Sequence, residues 1–273
     1  MLQKTSARYP RYGAYVSRPI KTHPIFRTAG LDFVPHRADQ DSPAARTIPA
    51  LGHLALWRFR ADWHSVSRDE ANSWLSGSER KRARHYPNSA LAKRHLVGRA
   101  MLRCILSRML RCRPDAIMLT DGTDGQPHLR CPDLRRTVCI HVAYAGVWIV
   151  IGLSATDLGI DAVMPVPSGP AMEKSVSKQL RTKTTTTPPD HLFPDVIDAP
   201  QQARCVSLSR LASIGGLGPE PVVATEYDAA QVIHTSIGQR YHILDLPMPG
   251  KITAAVALPQ IVTRVDAFGW LKD

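Results

Sequence analysis

The sequence predicts an α+β fold in two halves, each combining short strands with a helix-like segment. Residues 91–113 show the clearest helical pattern, since apolar side chains recur there every three or four positions. Short alternating or apolar runs predict strands on both sides of a stretch at 181–200 that is rich in Thr and Pro. That stretch divides the chain, and we expect the two halves to pack as similar lobes.

The helices predicted in the first half differ in the strength of their pattern. Leu91–Arg113 carries an apolar stripe formed by Leu102, Ile105, Leu106, Met109 and Leu110. Its arginines are expected on the solvated face: Arg94, Arg99, Arg103, Arg108 and Arg111. Pro114 is expected to stop this helix, because proline cannot continue the hydrogen-bond ladder. Asp69–Tyr86 is predicted as a second helical segment.

Strands are predicted in both halves between residues that favour turns. In the first half they are Leu54–Phe59, Val138–Val142, Trp148–Leu153 and Leu158–Val163, with a turn at Ala145 and Gly146. In the second half they are Pro221–Glu226, Gln231–Thr235, Arg240–Leu246 and Lys251–Leu258, after a helix-like stretch at Cys205–Ile214. Asp161 lies at the centre of an apolar strand, where a half-buried carboxylate needs a partner such as a metal ion or an arginine.

These patterns divide the chain into five segments. We expect a basic, loosely ordered extension at 1–48, an N-terminal α+β lobe at 49–165, a variable linker at 166–200, a C-terminal α+β lobe at 201–262 and a tail at 263–273. The extension holds seven scattered cations, Arg8, Arg11, Arg18, Lys21, Arg27, Arg37 and Arg46. It is open to interpretation as a solvated tail or as a nucleic-acid-binding arm.

Composition restricts the class of protein and its partners. The 273 residues are 44% hydrophobic and 21% charged, which suits a globular chain with a sizeable core. A net charge of +12 calls for an anionic partner, whether nucleic acid, membrane surface, polyphosphate ligand or acidic protein. The five cysteines form no CxxC pair, so we expect reduced thiols. The longest apolar run, Val142–Leu153, is too short for a bilayer span, and the N-terminus has no apolar run of signal-peptide length, so we expect a soluble, cytoplasmic monomer.

A series of short motifs resembles the surfactin-type 4′-phosphopantetheinyl transferases. Leu75–Tyr86 is similar to the family's "LSxxExxRAxrf" helix, and Arg94 with Met101–Ser107 to the Arg and "LRxxLs" that follow it. The later matches are Gly125–Leu129 ("GKPxL"), Cys139–Trp148 ("FNxSHSGxW"), Leu158–Val163 ("xGxDxE"), Tyr241–Gly250 and Ile252–Leu258. Each motif is short, but their order and spacing agree over residues 50–262.

The resemblance implies two similar α+β lobes in a pseudo-twofold arrangement, with coenzyme A between them. It implies transfer of 4′-phosphopantetheine from coenzyme A to a serine of an acyl or peptidyl carrier protein in polyketide, peptide or fatty-acid assembly. Arg82, Arg94, Gln126 and Tyr144 then stand at positions that contact coenzyme A. Asp161 stands at the first ligand of Mg²⁺ and is the expected catalytic residue.

Several positions depart from the family pattern. Gln126 replaces a Lys or Arg, Ala143 and Tyr144 replace the Ser-His pair, and Val163 replaces a second acid. Within Cys205–Ser213, Ser209 stands where the family has a Glu that binds the metal and assists the base, and Ser213 stands where it has a Lys. Because serine is a poor general base, the changes at positions 209 and 213 are expected to reduce activity strongly.

Three hypotheses follow from the sequence. The first is an active transferase on carrier proteins, whose basic surface attracts an acidic carrier. The second is a relative that binds coenzyme A or a carrier protein without turnover. The third is a basic nucleic-acid-binding protein that uses the N-terminal extension and the helix at 91–113. Motif order and the lack of aromatic residues in the basic runs favour the first two over the third.

Overall fold

A computed structural model describes residues 31–63, 66–131, 137–164, 207 and 240–271, and the backbone at 223–225 and 230–234. The helices in these residues are α1 Arg68–Trp74, α2 Gly77–Arg84 and α3 Ser89–Leu110. The strands are β1 Asp32–His36, β2 His53–Arg60, β3 Leu119–Asp121, β4 Pro127–Leu129, β5 Cys139–Ala145, β6 Trp148–Ser154, β7 Gly159–Val163, β8 Val223–Thr225, β9 Ala230–His234, β10 Arg240–Leu246, β11 Thr253–Leu258 and β12 Arg264–Phe268. This mixture is compatible with the predicted α+β class.

The predicted helix over Asp69–Tyr86 is two helices, because the chain contains two consecutive helix-start signals. Ser67 caps α1 and receives the reciprocal bond from Glu70, and Ser76 and Glu79 form the same capping box at the start of α2. Leu75 between them is extended, at φ −75° and ψ 139°. The repeated Ser-x-x-Glu spacing is the sequence feature that marks this break.

Helix α3 confirms the strongest pattern in the sequence, with corrections at its end and on its surface. Asn88 caps its first turn through Leu91 N at 2.9 Å, and the helix ends where Arg111 adopts a left-handed conformation, at φ 53°. Pro114 therefore lies beyond the end and begins a short 3₁₀ turn instead of stopping the helix. Arg99 and Arg103, expected on a solvated face, are buried.

The first sheet has the strand order β1-β12-β2-β6-β5. Strand β12 is parallel to both β1 and β2, and the remaining neighbours are antiparallel. This arrangement corrects two predicted boundaries: β1 lies within the segment expected to be a loose extension, and β12 within the segment expected to be a tail. Pro35 fits β1 because that strand is at the edge of the sheet.

The second sheet is antiparallel throughout, in the order β7-β11-β10-β9-β8. Each of its five strands confirms the predicted one, and every strand end lies within two residues of the predicted end. Strand β7 comes from the first half of the sequence and pairs with β11 from the second half. The proposed boundary near residue 165 therefore separates segments that share one sheet.

The core forms layers on both faces of the first sheet. Alternate residues of β2 point in opposite directions: Trp57 and Phe59 join α3 in one apolar cluster, while Leu54 and Leu56 join the second sheet in another. A third, smaller cluster around Tyr241 and Ile243 lies on the far face of the second sheet. The order of layers is thus helix, first sheet, second sheet.

Two predicted elements lie largely outside the described residues. The linker at 181–200 is not among the described residues, and of the predicted helix at Cys205–Ile214 only Ser207 is described, in helical conformation. Within the described ranges, no helix combines the length and apolar character needed to cross a bilayer.

Candidate anion-binding site

Asp121 forms ion pairs with two arginines that come from different helices. Arg82 lies in the last turn of α2, Arg99 lies in the middle of α3, and Asp121 ends β3. The Arg99 side chain is 4% exposed, whereas that of Arg82 is 42% exposed. Asp121 therefore neutralises a buried cation, and the outer face of Arg82 remains accessible to a ligand.

The turn that joins β3 to β4 lies against Arg82. Gly125 adopts φ +79°, a conformation that glycine accepts without strain, and a Cβ at this position would lie 3.6 Å from Arg82 Nη2. Asp124 Oδ1 accepts a hydrogen bond from the backbone N–H of Gln126 at 3.0 Å and stabilises the turn. This close approach brings the motif around residues 125–129 beside the motif of α2.

The Gln126 side chain is bonded to the backbone of β5. Its Oε1 accepts from Val142 N–H at 2.9 Å, and its Nε2 lies 3.4 Å from the Val142 carbonyl oxygen. The amide thus pairs with an edge strand as a neighbouring strand would. Its predicted contact with coenzyme A remains a prediction; the second N–H of the amide is the donor that such a contact would use.

Arg94 and Tyr144 meet where α3 passes the hairpin between β5 and β6. Arg94 Nη1 donates to the carbonyl of Gly146 at 2.9 Å, and its guanidinium carbon lies 5.0 Å from the centre of the Tyr144 ring. Burial raises the pKa of Tyr144 to about 12, against the opposing effect of Arg99. The phenol therefore keeps its proton and can donate a hydrogen bond at neutral pH.

His95 is buried between the same elements. Its Nδ1 lies 3.3 Å from the hydroxyl of Tyr86, and its Nε2 has no hydrogen-bond partner among the described residues. Burial lowers the pKa of His95 to about 4, and the charges of Arg99 and Arg82 act in the same direction. The imidazole is therefore neutral at physiological pH.

Asp161 lies on β7, half-buried, on the same face of the strand as Val163. Its register partner on β11 is Ala255, whose carbonyl accepts a hydrogen bond from the buried hydroxyl of Ser207 at 2.9 Å. Ser207, which belongs to the stretch Cys205–Ser213 matched to the family's Glu motif, is therefore bonded to the strand that pairs with the strand of Asp161. Ser209 and Ser213 themselves lie outside the described residues.

Strand β7 runs beside β5, which carries Tyr144. Ile160 N–H lies 3.3 Å from His141 Nδ1 of β5. At the end of β7, Met164 packs on the hairpin turn, where a Cβ on Gly146 would be 2.6 Å from its sulfur. The strand of Asp161 thus leads to the turn that Arg94 binds.

The predicted site residues fall into three groups. Arg82 and Arg94 both lie near Tyr144, and Gln126 borders this group with its amide bonded to β5. Asp161 lies on β7, on the face of the second sheet that carries Val163 and the third apolar cluster. Sequence reasoning missed Arg99, Asp121 and His95. The helical pattern predicts an exposed side chain for Arg99, and no local pattern links it to Asp121, which is 22 residues away. Three arginines against one carboxylate leave the cluster with excess positive charge, which suits an anion.

Comparison with known proteins gives one informative similarity. No protein-family model matches the chain. The chain is 34% identical over 94 residues to a Synechocystis sp. protein named "Putative 4′-phosphopantetheinyl transferase", a match that covers 34% of this chain and 38% of that relative. The chain thus matches well under half of the relative's length. This similarity supports a relationship to the 4′-phosphopantetheinyl transferase superfamily and does not distinguish the surfactin-type subgroup.

Proposed function

We propose that the chain transfers 4′-phosphopantetheine from coenzyme A to a serine of an acyl or peptidyl carrier protein, in the manner of the surfactin-type enzymes. The observation that carries this proposal is the convergence of Arg82, Arg94 and Tyr144 from three separate motifs. These motifs were matched to the family by their residues, order and spacing, and the structure brings Arg82 and Arg94 near Tyr144. We also propose that the two sheets with their helices form the family's two similar lobes, with coenzyme A between them.

The arginine cluster is suited to phosphate groups. Arginine binds phosphate through two parallel N–H donors, and such charge-assisted bonds are about twice as strong as neutral ones. Arg82 has an accessible face, and Arg94 is fixed by the Gly146 carbonyl while its other nitrogens remain available to a ligand. The phenol of Tyr144 would add one donor at the position where the family has histidine.

Asp161 fits a Mg²⁺ ion that is held mostly by the substrate. Among the described residues, no three acidic, His or Cys side chains are grouped as a metal site. Mg²⁺ commonly uses one or two carboxylates and completes its shell with phosphate oxygens and water, so a single half-buried carboxylate is sufficient. When bound, the ion would offset the charge of the pyrophosphate. The apolar Val163 on the same face offers no second oxygen.

The proposed reaction is a displacement at phosphorus. The serine oxygen of the carrier forms a bond to the phosphorus that bears pantetheine, and the bond from that phosphorus to the bridging oxygen breaks. The leaving group is 3′,5′-adenosine bisphosphate, and the serine proton passes to a base. The arginines hold both phosphates in line for this exchange. Because Ser209 occupies the position of the family's base-assisting Glu, we expect slow turnover.

Two contacts in the site favour a second candidate, a relative that binds coenzyme A or a carrier protein without turnover. Asp121 already pairs with Arg82, and the Gln126 amide already pairs with Val142. Both interactions would compete with the ligand. Together with the serine at position 209, they are consistent with a site that retains binding but has lost catalytic groups.

Intact-mass measurement separates these candidates. The full chain is incubated with coenzyme A, Mg²⁺ and a panel of apo acyl and peptidyl carrier proteins, and phosphopantetheinylation is read as a mass increase on the carrier. A mass increase that requires all three components supports the transferase. Binding of coenzyme A by calorimetry without any mass increase would reject the transferase and support the second candidate. Salt-dependent binding of DNA or RNA with no affinity for coenzyme A would reject both.

A further inference from the structure

His95 is a buried histidine with one unpaired ring nitrogen. The imidazole is 5% exposed, and Nε2 is buried with no partner among the described residues. Buried polar atoms are almost always hydrogen-bonded, so an unpaired buried nitrogen calls for a ligand, an ion or a water. The other ring nitrogen, Nδ1, is already engaged by the Tyr86 hydroxyl at 3.3 Å.

The charges that act on His95 come from three elements. They are Arg99 on its own helix, Arg82 and Glu79 on α2, and Asp121 at the end of β3. The phenol of Tyr86 is the polar group that contacts the ring. Glu79 is bound to Arg103, and Asp121 is shared between Arg82 and Arg99, so neither carboxylate is available to His95 alone. Burial is the main cause that lowers the pKa of the ring, and the charges of Arg99 and Arg82 act in the same direction.

We propose that His95 takes up a proton when a phosphate group of the ligand occupies the arginine cluster, and that the protonated ring donates a hydrogen bond from Nε2 to that phosphate. This inference rests on the proposed function, since it requires a phosphorylated nucleotide at Arg82. A phosphate brings up to two negative charges beside the ring, and an opposite charge within about 4–6 Å favours the charged form. The proton comes from solvent, and no covalent bond changes.

Proton uptake makes affinity depend on pH. The free site holds a neutral ring above a pKa of about 4, and the occupied site holds a charged ring up to its higher, bound pKa. Between these two values affinity falls as pH rises, by up to about tenfold per pH unit. Above the bound pKa the contribution of His95 no longer varies. Ionisation of the phosphate itself acts in the opposite direction and must be subtracted.

The His95→Gln variant supplies that subtraction, because Gln keeps a polar side chain that does not titrate. Calorimetry with 3′,5′-adenosine bisphosphate, in buffers of different ionisation enthalpy between about pH 5.5 and pH 7.5, counts the protons taken up above the pKa of the free ring. We expect the wild-type protein to take up more protons than the variant, by up to about one per site. Dephosphorylated adenosine is the neutral control and should show no excess.

A second measurement does not depend on folding of the variant. The imidazole signals of the wild-type chain, followed by NMR with and without the nucleotide, should include one ring whose titration midpoint moves up by at least about one pH unit. Equal proton uptake in both proteins, with no ring that shifts, overturns the inference and leaves the transferase standing if carriers are still modified. Failure of the nucleotide to bind the wild-type protein, together with no carrier modification, overturns the inference and the proposed function alike.

Discussion

Gly98 lies directly beneath the phenol of Tyr144, and a Cβ atom at position 98 would be 3.0 Å from the Tyr144 hydroxyl oxygen. The same atom would lie 3.6 Å from Ile149 Cδ1, so the ring has little room to move. Glycine in the middle of α3 therefore sets how closely the helix approaches the hairpin that carries Tyr144. The position of the phenol relative to Arg94 depends on this contact.

Gly98→Ala should weaken nucleotide binding more than it changes stability. Alanine is favoured over glycine within a helix by about 1 kcal/mol, and displacement of Tyr144 should offset most of that gain. We expect the free energy of unfolding, from urea titration, to change by less than about 1 kcal/mol. Affinity for coenzyme A should fall by about tenfold in calorimetry, equivalent to about 1.4 kcal/mol.

Gly77→Ala is the matched control, because a Cβ at that position would have no heavy atom within 4 Å. It should leave affinity unchanged. If Gly98→Ala bound coenzyme A as tightly as the wild-type protein, Tyr144 would not belong to the binding site.

The buried pair of Arg103 and Glu79 should be a major contributor to the stability of the helical layer. Arg103 Nη2 lies 2.9 Å from Glu79 Oε2, and Arg103 also donates to the carbonyl oxygens of Pro114 and Ile117. Arg103→Leu leaves the Glu79 carboxylate buried without its cation, so it should reduce the free energy of unfolding by about 3–5 kcal/mol.

An exposed pair provides the comparison for Arg103→Leu. The side chain of Arg113, paired with Asp115, is 80% exposed, so Arg113→Leu should cost less than about 1 kcal/mol in the same urea titration. Similar losses of unfolding free energy in both variants would show that burial does not account for the contribution of the Arg103–Glu79 pair to stability.

Asp161→Ala should abolish transfer and leave the fold intact. Its side chain is half-buried on β7 and its backbone pairing with β11 does not depend on the carboxylate. Transfer is measured by intact mass of the carrier, and folding by circular dichroism. Asp115→Ala, at an exposed carboxylate on the 3₁₀ turn after α3, should behave as the wild-type protein. Unchanged transfer by the Asp161 variant would show that the cation is held elsewhere.

His95 should also make the stability of the free protein depend on pH. Its pKa is about 4 in the folded protein, against an ordinary value of 6.5, so the unfolded chain binds more protons between these values. Stability therefore rises with pH through this window and is lost as pH falls. The shift corresponds to about 3 kcal/mol.

Urea titrations at pH 7 and pH 4.5 test this dependence. The difference in unfolding free energy between the two conditions should be smaller in His95→Gln than in the wild-type protein. An equal difference in the two proteins would mean that folding does not change the pKa of the imidazole.

The sequence was informative wherever structure depends on neighbours along the chain. The apolar stripe from Leu102 to Met109 and the alternation of Leu54–Phe59 correspond to α3 and β2, whose type is indicated by local periodicity. The break at Leu75 is marked in the sequence by two capping boxes that follow each other, a signal that the prediction of one helical segment over Asp69–Tyr86 does not use.

Contacts between distant residues could not be predicted in this way. Arg99 and Arg103 are buried within α3, whereas Arg111, which follows the last residue of the helix, is exposed. Their burial depends on Asp121 and Glu79, each more than 20 residues away. Likewise β1 and β12 are short, and nothing near either strand indicates that they pair in parallel.

Strand β12 has a consequence for the order in which the molecule is assembled. It lies between β1 and β2, which are synthesised first, and its contacts with them join residues separated by more than 200 positions, such as His36 with Asp266 and Arg58 with Gly269. Until the ribosome has released residues 264–268, β1 and β2 expose unpaired backbone that can recruit other nascent chains. Solubility in the cell should therefore depend on translation speed and chaperone supply more than on the final stability of the folded protein.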